Sequence, residues 1–366
     1  MKSKAARKLE DAFRDHTGIS PSDYFVIGTA AQARFIGAIV DYHGLALAPK
    51  KYFSSVGVQK GDWEAFFRLT AANQDRLAES LRAEDEKYGR TTYRSLTFER
   101  FPLFEGRPGV YLPISMRSLV RRITTGVFHI LTEAALDSGR DRRLWTSHFG
   151  IPFQRSVENT IRRGVAASTP AVKVRGEIKY TNEANGLVDS TDVMVVFPEE
   201  PLFAEVVSGP MQVATMTRGD LETFNSDLER LVVCKAKQID RSVKAFRGGY
   251  LKIPELDPGT VKRVWPVIIS AEPFPQREKT TKRVKTALAE AGYFRDEGFA
   301  PLALVSAEEL FFCEGFMEGG ESLLELIRAW KTSPGAKRDS PGGVPTPTQV
   351  PSRHAKARTP RGPRCS

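Results

Sequence analysis

The chain has 366 residues, of which 41% are hydrophobic and 10% aromatic, a composition typical of a soluble globular protein with about two domains. No apolar run approaches the ~18 residues of a membrane helix, and no apolar stretch follows the basic N-terminus as it would in a secretory signal. The three cysteines are far apart and fit neither a disulfide framework nor a zinc-binding spacing. These features predict a cytoplasmic protein with no membrane partner.

Residues 1–148 are predicted to form a mainly helical N-terminal domain. The segment Ser20–Asp23 is a helix-start signal followed by apolar residues at helical spacing, and one long amphipathic helix is predicted from Asp62 to Gly89. Two short strands are predicted around the turn Gly106–Gly109, followed by a helix over 115–136.

Residues 149–332 are predicted to form a second, α/β domain. A helix over 153–165 precedes a strand over 171–180, whose side chains alternate between apolar and charged. Two strands flank the turn Pro198–Pro201, and a long helix over 220–246 leads to a strand over 261–270. A helix, a strand and a final helix follow. This order predicts a mixed sheet with helices on both faces.

The net charge of +10 is concentrated at the C-terminus. From Lys331 to Ser366 there are eight Lys or Arg residues and one acid, Asp339. The segment is rich in Pro, Gly, Ser and Thr and poor in large apolar side chains, which predicts a disordered basic tail over 333–366. Such a tail either favours a polyanion, most commonly nucleic acid, or only increases solubility.

Two acidic residues occupy apolar strands on either side of the Pro198–Pro201 turn. Asp192 and Glu205 are equidistant from the Pro198-Glu199 midpoint, so a hairpin folded there places them opposite each other, with Cβ atoms roughly 4.5–5.5 Å apart. Two carboxylates that close need a shared proton or a cation, and a divalent ion with oxygen ligands fits best. The alternative is that Asp192 is exposed and Glu205 pairs with a basic side chain.

The order of elements over about residues 150–275 resembles the PD-(D/E)XK nuclease superfamily. That resemblance implies a restriction-endonuclease-like fold in which Asp192 and Glu205 bind Mg²⁺ or Mn²⁺ and Glu158 is the acid of the first helix. Members of the superfamily carry a lysine two residues after the glutamate, which orients or activates the attacking water. Here that position is Val207, so either the chemistry is lost or another cation replaces the lysine.

Lys235 is the candidate replacement. On the 220–246 helix it falls inside the apolar stripe, between Val232 and Ile239, whereas Lys237 points to the opposite side. Lys235 therefore either extends its amine to solvent or meets a buried anion, for which Glu205 is the obvious choice. Gln238, at the edge of the same stripe, matches a polar position found in many members of the superfamily.

The sequence thus predicts a Mg²⁺-dependent nuclease that hydrolyses phosphodiester bonds of DNA, in DNA processing or defence. Asp192, Glu205, Lys235, Glu158 and Gln238 form the predicted site. The alternative is a catalytically inactive protein of the same fold that binds nucleic acid or acts as a scaffold. Lys173, Arg175 and Lys179 line one strand face, either as phosphate contacts or as a solvated surface. A homodimer is left open.

Overall fold

The computed structural model describes residues 4–38, 44–54, 57–89, 95–137 and 142–332. The predicted tail over 333–366 lies outside the described residues. The chain has a mixed α/β architecture, with a mainly helical first part and a five-stranded mixed sheet in the second. Within the described ranges, no helix has the length and apolar character needed to cross a bilayer.

The first part contains eight helices within its described ranges and a small three-stranded sheet. The helices are α1 (Lys4–Thr17), α2 (Pro21–Ala38), α3 (Pro49–Ser54), α4 (Lys60–Thr70), α5 (Gln74–Tyr88), α6 (Leu96–Arg100), α7 (Met116–Ile123) and α8 (Gly126–Asp137). The strands are β1 (Ala71–Ala72), β2 (Leu103–Arg107) and β3 (Val110–Pro113). Fully buried aromatic side chains fill the core between these helices, including Phe13, Tyr24, Phe35, Phe53, Phe66 and Phe67.

The predicted strand pair is confirmed, but the predicted helix from Asp62 to Gly89 is wrong, because it divides into α4 and α5. Ala71 and Ala72 between them pair in parallel with β2. Asn73 then caps α5, its side chain accepting a hydrogen bond from the Arg76 amide. The helix predicted over 115–136 is likewise interrupted between α7 and α8, where the Thr124 hydroxyl bonds back to the Val120 carbonyl.

One long helix, α9 (Arg142–Ser168), joins the first part to the sheet. The predicted domain boundary between 148 and 149 falls inside this helix. Val157, Ile161 and Val165, within the helix predicted over 153–165, are buried against the sheet.

The larger sheet is assembled from five strands in a mixed arrangement. Its strands are β4 (Lys173–Gly176), β7 (Val193–Val196), β8 (Leu202–Val207), β9 (Trp265–Ser270) and β10 (Ala303–Ser306), in the spatial order β10-β9-β8-β7-β4. The pairs β4–β7 and β7–β8 are antiparallel, whereas β8–β9 and β9–β10 are parallel. The two parallel connections each contain a helix, as parallel strands require.

The strand predicted over 171–180 is wrong in its second half. It ends at Gly176, and the chain continues into β5 (Lys179–Thr181), which pairs with β6 (Leu187–Asp189) in a separate two-stranded sheet. Ile178 is held in the break by both its backbone groups: its amide donates to Ser190 Oγ, and its carbonyl accepts from the Ser190 amide. The alternation of side chains is therefore correct only as far as Gly176.

Helices cover both faces of the larger sheet. One face packs against α11 (Leu221–Leu228), the π-helical turn Glu229–Val233, α12 (Cys234–Arg247) and α13 (Glu278–Ala291), and the short α10 (Val213–Arg218) precedes them. The other face packs against α9, α14 (Ala307–Glu318) and α15 (Leu323–Thr332). We call the first of these faces the α12 face, because it carries the candidate site.

Candidate functional site

The hairpin β7–β8 brings Asp192 and Glu205 together as the sequence predicts. Its register pairs Val193 with Ala204 and Met194 with Phe203, so the next pair along the ladder is Asp192 and Glu205. The Val206 amide donates to Asp192 Oδ2 at 2.7 Å, which fixes the aspartate against the end of β8. Because strand residues alternate between faces, both carboxyl groups belong to the α12 face.

Burial raises the pKa values of both carboxyl groups in this pair. Glu205 is 1% exposed and Asp192 is half-buried. Burial, followed by repulsion from the Asp192 carboxylate, raises the pKa of Glu205 to about 7, although Lys235 opposes the rise. Burial also raises the pKa of Asp192, which the Val206 amide and Lys235 partly offset. The pair is thus a site at which a bound cation lowers the cost of two buried negative charges.

Lys235 is the cation that meets this pair. Its Nζ lies 2.9 Å from Glu205 Oε2, and its side chain is 25% exposed, so the amine lies between the carboxylates and solvent. Lys237 is exposed, as the helical spacing predicts. The predicted contact between Lys235 and Glu205 is therefore confirmed.

A π-helical turn directly precedes the helix that carries Lys235. The single helix predicted over 220–246 consists of α11, the π-helical turn Glu229–Val233 and α12. Lys235 follows the turn by two residues. The extra residue in a π turn rotates the two flanking helices relative to each other, and such turns are frequent at functional sites. Leu228 and Ile239 are both buried against the sheet despite this offset.

Glu158, predicted as part of the site, lies on α9 and belongs to the other side of the sheet. Its Oε1 accepts hydrogen bonds from Arg162 Nε at 2.9 Å and Nη2 at 2.5 Å. A Cβ added to Gly176 would lie 3.0 Å from the same oxygen. Gly176 pairs with Val193, so the Glu158 carboxylate lies at the end of β4 on the face opposite the pair, and Arg162 balances its charge.

Gln238 is half-buried one helical turn beyond Lys235. Its backbone carbonyl accepts a hydrogen bond from Ser242 Oγ at 2.9 Å. Val207, at the position where the superfamily carries its lysine, is buried in the hydrophobic core of the α12 face. Val207 lies on the same strand face as Glu205, two residues away, and its apolar side chain supplies no charge to the pair.

Two further carboxyl groups lie at this edge. The sequence places Glu177 on the charged face of a strand, and it leaves Asp189 open as either a turn residue or an alternative metal ligand. Burial, Asp189 and Asp192 raise the pKa of Glu177, in that order of effect. Lys179 Nζ is 3.3 Å from Asp189 Oδ1. The early end of β4 brings both residues to this edge, and the glycine directly before Glu177 was the available signal.

The donor set is compatible with Mg²⁺ or Mn²⁺ held by two carboxylates. Across the described ranges, no group of three or more His, Cys, Asp or Glu side chains is arranged to bind a metal ion. Mg²⁺ commonly binds proteins through one or two carboxylates and keeps several waters or substrate oxygens as its other ligands. Asp192 and Glu205 supply those two carboxylates.

Comparisons with known proteins add little to this geometry. No protein-family model matches the chain, and no curated protein matches it. A crystal structure of protein VC1899 from Vibrio cholerae is similar at 11% sequence identity over 87% of this chain, with a TM-score of 0.25. This chain spans 57% of the length of that protein. A similarity this weak supports no functional argument, so the functional conclusion rests on the site itself.

Proposed function

We propose that this protein is a Mg²⁺-dependent nuclease that hydrolyses phosphodiester bonds of DNA. The observation that carries the proposal is the opposed pair Asp192 and Glu205 with the Lys235 amine 2.9 Å from Glu205 Oε2. The pair combines the carboxylate oxygens that a hard divalent ion prefers with a cation placed to stabilise negative charge on a reacting phosphate.

The order of elements around the pair supports a restriction-endonuclease-like fold. Helix α9, strands β4, β7 and β8, helix α12 and strand β9 follow one another along the chain, and the four strands are adjacent in the sheet in that same order. Asp192 directly precedes the second of these strands, and Glu205 lies within the third. The resemblance assigns supporting roles to Glu158, which lies on α9, and to Gln238, which lies on α12.

The chain's own residues would have distinct roles. Asp192, held by the Val206 amide, and Glu205 would hold the metal ion. When bound, Mg²⁺ would polarise the phosphodiester and lower the pKa of a coordinated water. Lys235 would stabilise negative charge on the nucleophile or on the pentacovalent phosphorus. Glu158 would position a water molecule at the edge of the strand, and Gln238 would support Lys235 from the next turn.

Two observations favour the inactive, nucleic-acid-binding alternative. The Lys235 amine directly pairs with Glu205, so the buried carboxylate already has a cationic partner without any metal. Val207 is buried and apolar at the position where the superfamily carries its lysine. In an inactive protein, Glu205 and Lys235 would form only a structural ion pair.

Metal-dependent cleavage distinguishes the two candidates. Plasmid and single-stranded DNA are incubated with Mg²⁺, Mn²⁺ or EDTA and the wild-type protein, Asp192→Ala, Lys235→Ala or Lys237→Ala. The exposed Lys237 is the matched control for Lys235. Loss of Lys235 is expected to reduce the cleavage rate by about 10²–10³-fold, the cost of losing one preorganised charge-stabilising group.

Each outcome of the cleavage assay supports a different reading of the site. The nuclease proposal requires cleavage that Asp192→Ala abolishes, Lys235→Ala nearly abolishes and Lys237→Ala leaves close to normal. Binding of DNA by the wild-type protein without cleavage under any divalent ion would favour the inactive alternative. Cleavage that Lys235→Ala does not affect would keep the nuclease but remove Lys235 from its mechanism.

A further inference from the structure

The exposed side of α13 carries a cluster of basic side chains at its N-terminal end. We call it the α13 basic surface, and it consists of Arg277, Lys279, Lys282, Arg283 and Lys285. All five side chains are exposed, and Glu278 is the single acid in this stretch of sequence. This is a local concentration of positive charge outside the predicted tail.

The packing of α13 directs this charge towards solvent. Val284 and Leu288 are buried in the core of the α12 face and anchor the helix to the sheet. At 100° per residue, Lys279 and Lys282 lie opposite that buried pair, and Lys285 lies on a flank. The apolar side of the helix is thus occupied by the protein core, which leaves the basic side as the exposed surface.

Among the described residues, no carboxylate forms an ion pair with the cations of this surface. Arg283 donates to Asn225 Oδ1, at 3.3 Å from Nε and 3.2 Å from Nη2, which ties α13 to α11 without neutralising its charge. Arg277, Lys279, Lys282 and Lys285 form no ion pair with any residue in the part of the chain that the structure describes. Like charges three and four residues apart destabilise a helix, and an external anion would relieve that repulsion.

Several cations elsewhere in the second part of the chain form ion pairs. Lys179 pairs with Asp189, and Arg175 pairs with Glu255. The strand face considered as a phosphate contact from the sequence is therefore largely charge-compensated. Other neutralised pairs are Lys244–Asp240 and Lys262–Glu199. The α13 basic surface differs from these pairs in that neighbouring cations on one helix lack an ion-pair partner among the described residues.

This surface also lies on the same side of the sheet as the candidate site. The chain leaves β9 at Ser270 and enters α13 shortly afterwards, so the N-terminal end of α13 is near the carboxyl edge of β8 and β9. Glu205 is two residues from the end of β8, and Lys235 reaches it from the same face. In open α/β sheets, ligands bind beyond the carboxyl ends of the strands.

We infer that the α13 basic surface binds the phosphate backbone of DNA and holds it beside the carboxylate pair. The choice of DNA as the polyanion rests on the proposed function. From Lys279 to Lys285 the helix rises ~9 Å, and over that length duplex DNA presents several phosphates. The contacts are to the backbone, so they contribute affinity and orientation and carry no sequence preference.

The test uses the full chain and a fluorescently labelled DNA duplex in EDTA, so that binding is measured without cleavage. Affinity is followed from about 50 to 200 mM salt for the wild type, Lys279→Ala/Lys282→Ala and the matched control Lys50→Ala/Lys51→Ala. The control lysines are exposed on α3, in the first part of the chain. Lys282→Gln serves as a folding check, because it removes like-charge repulsion and is not expected to lower the melting temperature.

The α13 double variant is expected to bind roughly tenfold more weakly or worse at about 0.1 M salt, equally for duplexes of different sequence. The slope of log K against log salt should fall by ~1.8, the contribution of two phosphate contacts. The control should keep the wild-type slope. Unchanged affinity and slope in the α13 variant, an equal loss in the control, or no DNA binding by the wild type would overturn the inference.

Failure of this inference can be distinguished from failure of the proposed function. If the α13 variant loses binding but the wild type never cleaves DNA, the surface assignment stands and the nuclease proposal fails. If the wild type cleaves DNA and the α13 variant binds and cleaves normally, the nuclease proposal stands and DNA reaches the site by another surface.

Discussion

Glu205→Gln is expected to change the pH dependence of folding stability. Glu205 is 1% exposed, and its pKa is raised from 4.5 to about 7 by burial and by the neighbouring Asp192 carboxylate, against the opposing effect of Lys235. In the unfolded chain the same carboxyl group is solvated and titrates near its ordinary pKa. Glutamine has a similar shape and does not titrate.

The sign follows from proton linkage. Between about pH 4.5 and 7 the folded protein retains a proton on Glu205 that the unfolded chain releases, so the free energy of unfolding falls as pH rises through this window. The shift corresponds to roughly 3 kcal/mol, a contribution present in full below pH 4.5 and lost above about pH 7. Glu205→Gln removes this contribution, so its stability should vary much less over the same range.

The assay is urea unfolding followed by tryptophan fluorescence at about pH 5, 6, 7 and 8. The matched control is Glu199→Gln, because Glu199 is 58% exposed in the hairpin turn. The difference in unfolding free energy between about pH 5 and 8 should shrink by roughly 2–3 kcal/mol in Glu205→Gln and stay unchanged in the control. A Glu205→Gln profile parallel to that of the wild type would refute the reasoning.

Three further predictions concern the buried pair, the helical core and the tail. Lys235→Met should destabilise the protein by about 3 kcal/mol at pH 8, where Glu205 is left charged, and by less at pH 6. Urea unfolding measures this loss, and an equal loss of stability at the two pH values would contradict the prediction. Gly28→Ala should lower the free energy of unfolding by about 1–3 kcal/mol, because the added Cβ would lie 2.4 Å from Ile123 Cγ2. Gly61→Ala, whose Cβ would have nothing within 4 Å, should be neutral or stabilising in thermal melts. Deleting residues from about 333 onward should weaken DNA binding mainly at low salt, and equal affinity at low salt would exclude the tail from binding.

The hairpin and its facing acids could be predicted because both depend on local rules. Strand alternation and the turn at Pro198–Pro201 fix which residues oppose each other, and the structure keeps that register. The position of Lys235 was predictable for a similar reason, since helical spacing places it on the buried stripe whether or not a π turn precedes it. Period and register are properties of the sequence itself.

The errors occur where distant segments decide the local structure. The break between α4 and α5 depends on Ala71 and Ala72 pairing with β2, a contact across some 30 residues of sequence. The early end of β4 depends on Ser190 holding Ile178, and that break brings Glu177 to the site. In both cases the partner lies in another segment of the chain, and only the second break has a local signal, Gly176. Likewise, the sequence alone could not show which cations of α13 lack an ion-pair partner among the described residues, because ion pairs join residues that are distant in the chain.

The central claim is that Asp192 and Glu205 together hold a divalent cation. Isothermal titration with Mn²⁺ tests this claim most directly. It is carried out at about pH 8, where Glu205 has lost its proton. The proteins compared are the wild type, Asp192→Asn, Glu205→Gln and the surface control Glu199→Gln. We predict one Mn²⁺ site in the wild type and in the control, and none in either pair variant. Mn²⁺ binding that persists unchanged in both pair variants, or is absent from the wild type, would contradict the account.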